Sequence, residues 1–309
     1  MAIESREHHF AWAKAEGIDF DHQREGILHI YRDKKGFDHA GEVSNLLAQG
    51  GLPRRAVTPE EMKAIEPTLQ GQYYGGYFTE SDSKGDIHKF TYGLAKACER
   101  LGVKILNEHE VMSVAANDPS ASVQVKHAGD TDSLTFDGIV ICAGLHGRRL
   151  AAQLGDRLHI YPVKGCSITV NLPDDASQAA APQVSLLDDE TKLLTSRLGD
   201  DRFRVAGTAE FNGINLTIRP DRIQPLIQWV NQCFPDIDTR KVVLWADLRP
   251  MMPNMLPRVG AGKKANVFYN TGHGHQGWSL SAITAHQLTG HVMAAMQDNV
   301  HSFMTPVTA

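Results

Sequence analysis

Three glycines near the carboxyl end carry the clearest chemical signal in the chain. In Tyr269-Asn-Thr-Gly-His-Gly-His-Gln-Gly-Trp278, Gly272, Gly274 and Gly277 form a literal G-x-G-x-x-G after an apolar run and before a helical pattern. A dinucleotide fingerprint needs more than this loop. A second strand must follow the helix, and an acidic residue about 20 residues on must hold the ribose. Here one helix follows Gly277 and then a tail, Asp298 to Ala309, so a pyrophosphate cradle is disfavoured. Two readings remain. The glycines either permit the unusual φ of a strand-to-helix turn, or they open a helix N-terminus whose N–H groups face an anion or a partially negative oxygen. Arg249, in Leu248-Arg-Pro250, is the second candidate. Its planar fork matches a carboxylate bidentately, and the competing reading is a structural arginine on loop carbonyls.

The elements that must position these residues follow from periodicity and caps. Ile3 to Glu16 reads as a helix ending at Gly17, Gly26 to Tyr31 as a strand, and Phe37 to Leu47 as a helix. Thr58-Pro-Glu-Glu61 is a capping box with proline at the first helical position, opening a short helix stopped by Pro67. Tyr73 to Thr79 reads as a strand, and Asp86 caps a helix over Ile87 to Leu101. Short strands are expected at Val103–Leu106, Glu110–Val114 and Ser122–His127. The apolar run Ile139 to Cys142 reads as a strand buried on both faces, as in a parallel sheet, ending in Ala143-Gly144 and passing into a helix over Arg148 to Leu154. Four pieces, Val163–Val170, Val184–Leu187, Leu193–Arg197 and Arg202–Ala206, have the close spacing of an antiparallel meander. A helix over Pro220 to Cys233, a strand around Val242 to Ala246, a loop from Asp247 to Arg258, a strand over Asn266 to Tyr269 and a final helix complete the chain. A mixed-sheet subdomain is thus embedded between pieces of an α/β subdomain, with function expected at their junction.

Composition sets outer limits. With 309 residues, 42% of them hydrophobic and 22% charged, the chain is long enough for one large or two intertwined domains. A net charge of −5 supplies no basic footprint, so nucleic acid is not expected as a partner. Cys98, Cys142, Cys166 and Cys233 are widely spaced, with no C-x-x-C, which suits free thiols in a reducing cytoplasm. No apolar run reaches the roughly 18 to 20 residues that span a bilayer, so peripheral contact at the inner membrane is the membrane association left open.

Four ordered motifs add a resemblance. Tyr161-Pro-Val-Lys-Gly-Cys-Ser-Ile-Thr169, Leu248-Arg-Pro-Met-Met-Pro-Asn254, Pro257-Arg-Val-Gly260 and the Tyr269–Trp278 loop together resemble FAD-dependent D-amino acid dehydrogenases of the broader D-amino acid oxidase and glycine oxidase family. The resemblance extends over essentially the whole chain. It implies an α/β (mixed α+β) fold of the D-amino acid oxidase type, with flavin-binding parts near 80–155 and 245–300 and a substrate subdomain near 17–75 and 158–244. It implies FAD as cofactor, contacted by Ala143, Gly144, Thr271, Gly272, His273, Gly274, His275, Gln276 and Gly277, with His273 the side chain nearest the ring. Arg249 becomes the substrate-carboxylate clamp, and Lys164 and Cys166 join the substrate-binding set. The implied reaction is oxidative deamination of a D-amino acid to a 2-oxo acid by hydride transfer from Cα to FAD, with electrons passed on to a respiratory or quinone acceptor. Arg249 and His273 are its implied catalytic residues.

Departures from the pattern leave alternatives standing. Asp247 replaces a usual glycine and offers Arg249 a competing partner, Asn254 stands where an aspartate is common, and Cys166 stands where relatives often carry tyrosine. The clamp would equally serve a glycine, sarcosine or 2-hydroxyacid oxidase. The family opens with a β-strand, a G-x-G-x-x-G and a helix that hold the ADP part of FAD, and the first helix here starts uncapped at Met1. The expectation is therefore a chain lacking that βαβ unit, either a truncated reading of a longer enzyme or a remnant or half of a split enzyme whose ADP-binding part is separate.

Overall fold

A computed structural model describes residues 1–304 apart from Asp118, with side chains through Met296. Helix α1 (Ala2–Glu16) ends at Gly17, whose φ of +65° is the left-handed conformation glycine adopts without strain. After it come strand β1 (Ile27–Tyr31), helix α2 (Lys34–Gln49), β2 (Arg55–Val57), α3 (Pro59–Ile65), β3 (Gly75–Thr79) and α4 (Ile87–Arg100). The capping box of α3 is present in both directions, with Thr58 Oγ1 accepting from Glu61 N and Glu61 Oε2 accepting from Thr58 N. Asp86 caps α4 by accepting from His88 N at 2.8 Å and Lys89 N at 3.2 Å.

The middle of the chain supplies β4 (Glu110–Asn117), β5 (Ser120–His127), β6 (Asp130–Phe136), β7 (Ile139–Ile141), α5 (Gly147–Gln153) and β8 (Tyr161–Asn171). There follow α6 (Asp175–Ala180), β9 (Ser185–Asp188), β10 (Leu193–Leu198), β11 (Arg202–Glu210) and α7 (Pro220–Cys233). The last part contains β12 (Val242–Met251), β13 (Arg258–Ala261), β14 (Val267–Thr271) and α8 (Gly277–Met304).

The chain divides into two compact units. The first contains residues 1–16, 95–163 and 248–309, and the second residues 17–94 and 164–247. In the first unit, β13 pairs antiparallel with β14, β14 pairs parallel with β7, and β4, β5 and β6 form a separate antiparallel sheet. Val114, Ile139, Ile141, Leu150, Ile160, Val267 and Tyr269 belong to one apolar cluster between these elements. In the second unit, α7 presents Ile223, Leu226, Trp229 and Val230 to the face of the large sheet that carries Leu28, Ile30, Leu186, Phe203 and Val205. Period-two alternation sends these strand residues to one side. The large sheet has the order β12-β8-β11-β10-β9-β1-β3-β2.

Five sequence expectations are corrected. Val103–Leu106 is not a strand, because Val103 N and Gly102 N close the last turn of α4 on Cys98 O and Glu99 O, with Gly102 at φ +85°. That is a Schellman end, and it consumes the backbone donors a strand would need. The apolar run at β7 is buried on one face only. Ile139 and Ile141 are inward, whereas Val140 is 43% exposed and Cys142 is exposed, because β7 is the outer strand of its three-stranded sheet. The four-strand meander is interrupted: β8 pairs with β11, not with β9, and β9 joins β1 in parallel. Finally, the segment from Asp247 is strand as far as Met251, and the tail expected from Asp298 continues α8 to Met304. Residues 305–309 of that tail lie outside the described residues.

Candidate functional site

The first unit places two strand-to-helix turns side by side. β7 and β14 run parallel, with Val267, Phe268 and Tyr269 opposite Ile139, Val140 and Ile141, so both strands end at the same edge. Each then passes through a single 3₁₀ turn into a helix: Gly144–His146 before α5, and Gly274–Gln276 before α8. Neither turn has a side-chain cap. The carboxyl ends of parallel strands, where helix N-termini converge, are where open α/β sheets receive ligands. Thr271 ties the turns together, its hydroxyl donating to Gly144 O at 3.1 Å.

The glycines are required here for two different reasons. Gly272 (φ +80°) and Gly274 (φ +59°) are left-handed, and a Cβ would meet Met252 Cγ at 2.6 Å from Gly272 and Met251 Sδ at 2.5 Å from Gly274. His273 forms an isolated antiparallel bridge with Met251. The loop is thus packed on the end of β12, two residues along the strand from Arg249. Gly144 (φ +49°) has nothing within 4 Å of a built Cβ, so open space borders the first turn.

His273 is half-buried and faces its own helix. Its Nε2 lies 3.0 Å from Thr284 Oγ1, and the Thr284 hydroxyl donates to Ser281 O at 3.1 Å. With that hydroxyl proton committed, Nε2–H is the donor to Thr284. Burial holds the imidazole below its ordinary value, in the neutral form. The side chain expected beside a ring is therefore the one that pins the loop to α8. His275 and Gln276 are exposed, while Thr271 and Gly272 are buried. Tyr269 lies fully buried beneath the turn, its hydroxyl donating to Asp156 at 2.8 Å.

Arg249 is half-buried near the end of β12. Pro250 is accommodated in this strand because β12 is the outermost strand of its sheet, where a missing N–H is tolerated. A strand holds the guanidinium more firmly than a loop would. Lys164 and Cys166 belong to the second unit, and each is 1% exposed. They share the inward face of β8 with Ile168 and Val170. Lys164 Nζ donates to Thr217 O at 2.9 Å and lies 3.4 Å from Glu210, and Cys166 Sγ lies 3.8 Å from the same carboxylate. Their polar atoms are engaged inside that unit. Thr284 and Ser281 escape a reading of the sequence, and the roles of Met251 and Met252 under the glycine loop are not marked by the motif that contains them, because these partners are decided by how α8 and β12 meet the loop.

Residues 1–290 match the FAD dependent oxidoreductase (DAO) family. The chain belongs to that family. It is 55% identical over 288 residues to D-amino acid dehydrogenase 3 of Mesorhizobium japonicum, covering 93% of this chain and 70% of the relative. It is 39% identical over 294 residues to a D-amino acid dehydrogenase of Dechloromonas aromatica, covering 93% of this chain and 69% of that one. Among solved structures, glycine oxidase from Geobacillus kaustophilus matches 94% of this chain and 78% of its own with a TM-score of 0.84 at 21% identity. The D-amino acid oxidase type fold expected from the motifs is therefore the fold of this chain.

The residues present fit the family's flavin. Two uncapped turns supply N–H donors, Gly144 leaves an open approach, and Asn270 Oδ1, one residue before Thr271, is buried without a hydrogen-bond partner among the described residues. The turn N–H groups suit the carbonyl oxygens of a flavin ring, and the Asn270 oxygen suits an N–H donor on it. Among the described residues no helix is long and apolar enough to cross a membrane, and no group of His, Cys, Asp and Glu could hold a metal ion.

Proposed function

We propose that the chain catalyses flavin-dependent oxidative deamination of D-amino acids to 2-oxo acids, with electrons passed to a respiratory or quinone acceptor. The observation that carries the reading is the packing of the glycine loop on Met251 and Met252, two and three residues beyond Arg249 in the chain. One rigid element then sets the distance between a carboxylate clamp and a ring-facing turn. The 55% identity to a D-amino acid dehydrogenase supports amino acids of D configuration as substrates.

Bound FAD would supply the acceptor for the hydride leaving Cα. The chain's own part is to hold and orient. Arg249 grips the substrate carboxylate with two parallel N–H donors, which fixes the direction of Cα–H. The N–H groups of Gly274 and His275, at the positive end of α8, would stabilise negative charge at the ring edge, Gln276 N being engaged with His273 O at 3.1 Å. His273 keeps that turn in place through Thr284 and takes no proton from substrate. Lys164 and Cys166 support the second unit by holding Glu210. We assign the parts near 80–155 and 245–300 to the flavin and those near 17–75 and 158–244 to the substrate.

Steady-state assays with D-alanine and an artificial dye acceptor, in the presence of added FAD, test this. Arg249→Lys should raise KM for every D-amino acid by about 10-fold or more, since the point charge of lysine cannot reproduce the fork. An unchanged KM across D-amino acids would remove Arg249 from the site. Absence of dye reduction by the flavin-loaded wild type with any D-amino acid would remove the activity.

A further inference from the structure

The second unit has a half-open cavity of about 660 Å³ beside β1, α2 and the turn after β9. Ala40, Val43 and Leu187 give it an apolar wall. His29, Tyr31, Arg54 and Asp189 bring charge and hydrogen-bonding groups to it. None of these residues takes part in the glycine-loop site.

Two of them have unused capacity of opposite sign. Arg54 is half-buried, and its Nε is buried without a hydrogen-bond partner among the described residues. The neighbouring Arg55, by contrast, is spent on Glu61 at 2.8 Å and Glu80 at 3.8 Å. Leaving a guanidinium donor buried and unmet is costly, and a bound anion would meet it. Asp189 is held on one oxygen only. Oδ2 accepts from the Tyr31 hydroxyl and from His29 Nδ1 at 3.4 Å, while Oδ1 has the exposed Lys192 ammonium at 3.9 Å. Those two hydrogen bonds, that from His29 first, push the carboxyl down to about 2, so it is ionised at any working pH. Burial first, and then Asp189, raise the tendency of the Tyr31 hydroxyl to keep its proton, and the Arg54 charge lowers it. The cation and the anion line the same cavity as Tyr31.

A fixed positive group, a fixed negative group and an apolar wall complement a zwitterion with an apolar side chain. We propose that this cavity binds an α-amino acid, its carboxylate on Arg54, its ammonium on Asp189 and its side chain against Ala40, Val43 and Leu187, without using Arg249. This goes beyond the deamination reading, because a second amino-acid site would let substrate concentration bear on the enzyme apart from turnover.

Calorimetric titration of the full chain in the Arg249→Lys background tests the proposal and separates it from the clamp. D-leucine should bind this variant. Adding Arg54→Gln or Asp189→Asn should each weaken it by about 10-fold or more, as expected when one partner of a buried charge pair is removed. Leucinamide, which lacks the carboxylate, and 4-methylpentanoate, which lacks the amine, should bind the Arg249→Lys variant at least about 10-fold more weakly than D-leucine. Should Arg54→Gln not fold by circular dichroism, Asp189→Asn, which keeps the size of the side chain, is sufficient by itself to decide. No binding to Arg249→Lys, or equal binding with and without the second substitution, would overturn the site.

Discussion

The two strand-to-helix turns of the first unit look alike in outline and differ in what holds them. The turn after β14 is crowded: Met251 and Met252 occupy the space of any Cβ on Gly274 and Gly272, and His273 reaches back to Thr284. The turn after β7 is open at Gly144, where only backbone φ calls for glycine. A turn fixed from behind by packing can present its N–H groups in one geometry before ligand arrives, which is preorganisation. A turn with free space ahead of it can let a ligand approach its backbone. The pair thus divides the tasks of holding and admitting.

Substitution of the glycines would break or sharpen that division. Gly272→Ala should cost the most, about 3 kcal/mol in urea unfolding, from overpacking against Met252 together with a left-handed Cβ. Gly274→Ala should cost about 2 kcal/mol, because the atom it meets, Met251 Sδ, lies toward the free end of a flexible side chain. Thr284→Val leaves the His273 donor unmet and should cost about 1–2 kcal/mol.

Gly144→Ala should cost only about 1 kcal/mol, for φ alone, yet lower FAD retention measured by visible absorbance after gel filtration. If it destabilises as much as Gly272→Ala, the two turns do not differ as described. Gly277→Ala is the smallest and has the opposite sign. Its φ is −55° and the nearest atom to a Cβ is His273 Cβ at 3.8 Å, so the apoprotein should gain up to about 1 kcal/mol of helix propensity. A loss of FAD binding with that gain would place the flavin against Gly277.

Acid should act on the crowded turn through His273. Burial makes the folded state bind the proton less readily than the unfolded chain does. The stabilisation is therefore complete above the ordinary value of 6.5 and is lost as pH falls from there through the lower folded value. A melting series from neutral to mildly acidic pH should show this decline, reduced in His273→Gln. Identical declines in the two proteins would take His273 out of the effect.

Legibility in the sequence followed the range of the interaction. The capping box at Thr58 and Glu61, the Asp86 cap and the Gly17 terminus are local hydrogen-bond or φ requirements, and each is realised where its residues stand. The glycine loop and the arginine could be picked out because their residue types are tied to special backbone or bidentate chemistry. What misled was context. The stretch from Asp247 reads as loop unless one knows that β12 is an outer strand that tolerates Pro250, and Val140 reads as buried unless one knows that β7 is an outer strand too. For Lys164, only the tertiary structure shows Glu210 and Thr217 O around its ammonium.

The four ordered motifs carried the resemblance to the family, and residue type and spacing alone marked the glycine loop with its helix N-terminus and the arginine suited to a carboxylate, because those requirements are written into backbone conformation and side-chain shape within a few residues. The tertiary structure alone decided that β7 and β14 end together, that β12 carries Arg249 to the base of the glycine loop, that His273 serves Thr284, and that Arg54 and Asp189 share a cavity. Each of these depends on pairings between segments that the chain itself keeps apart. Such pairings are chosen by burial and packing across the whole unit, and no short window of sequence contains both partners.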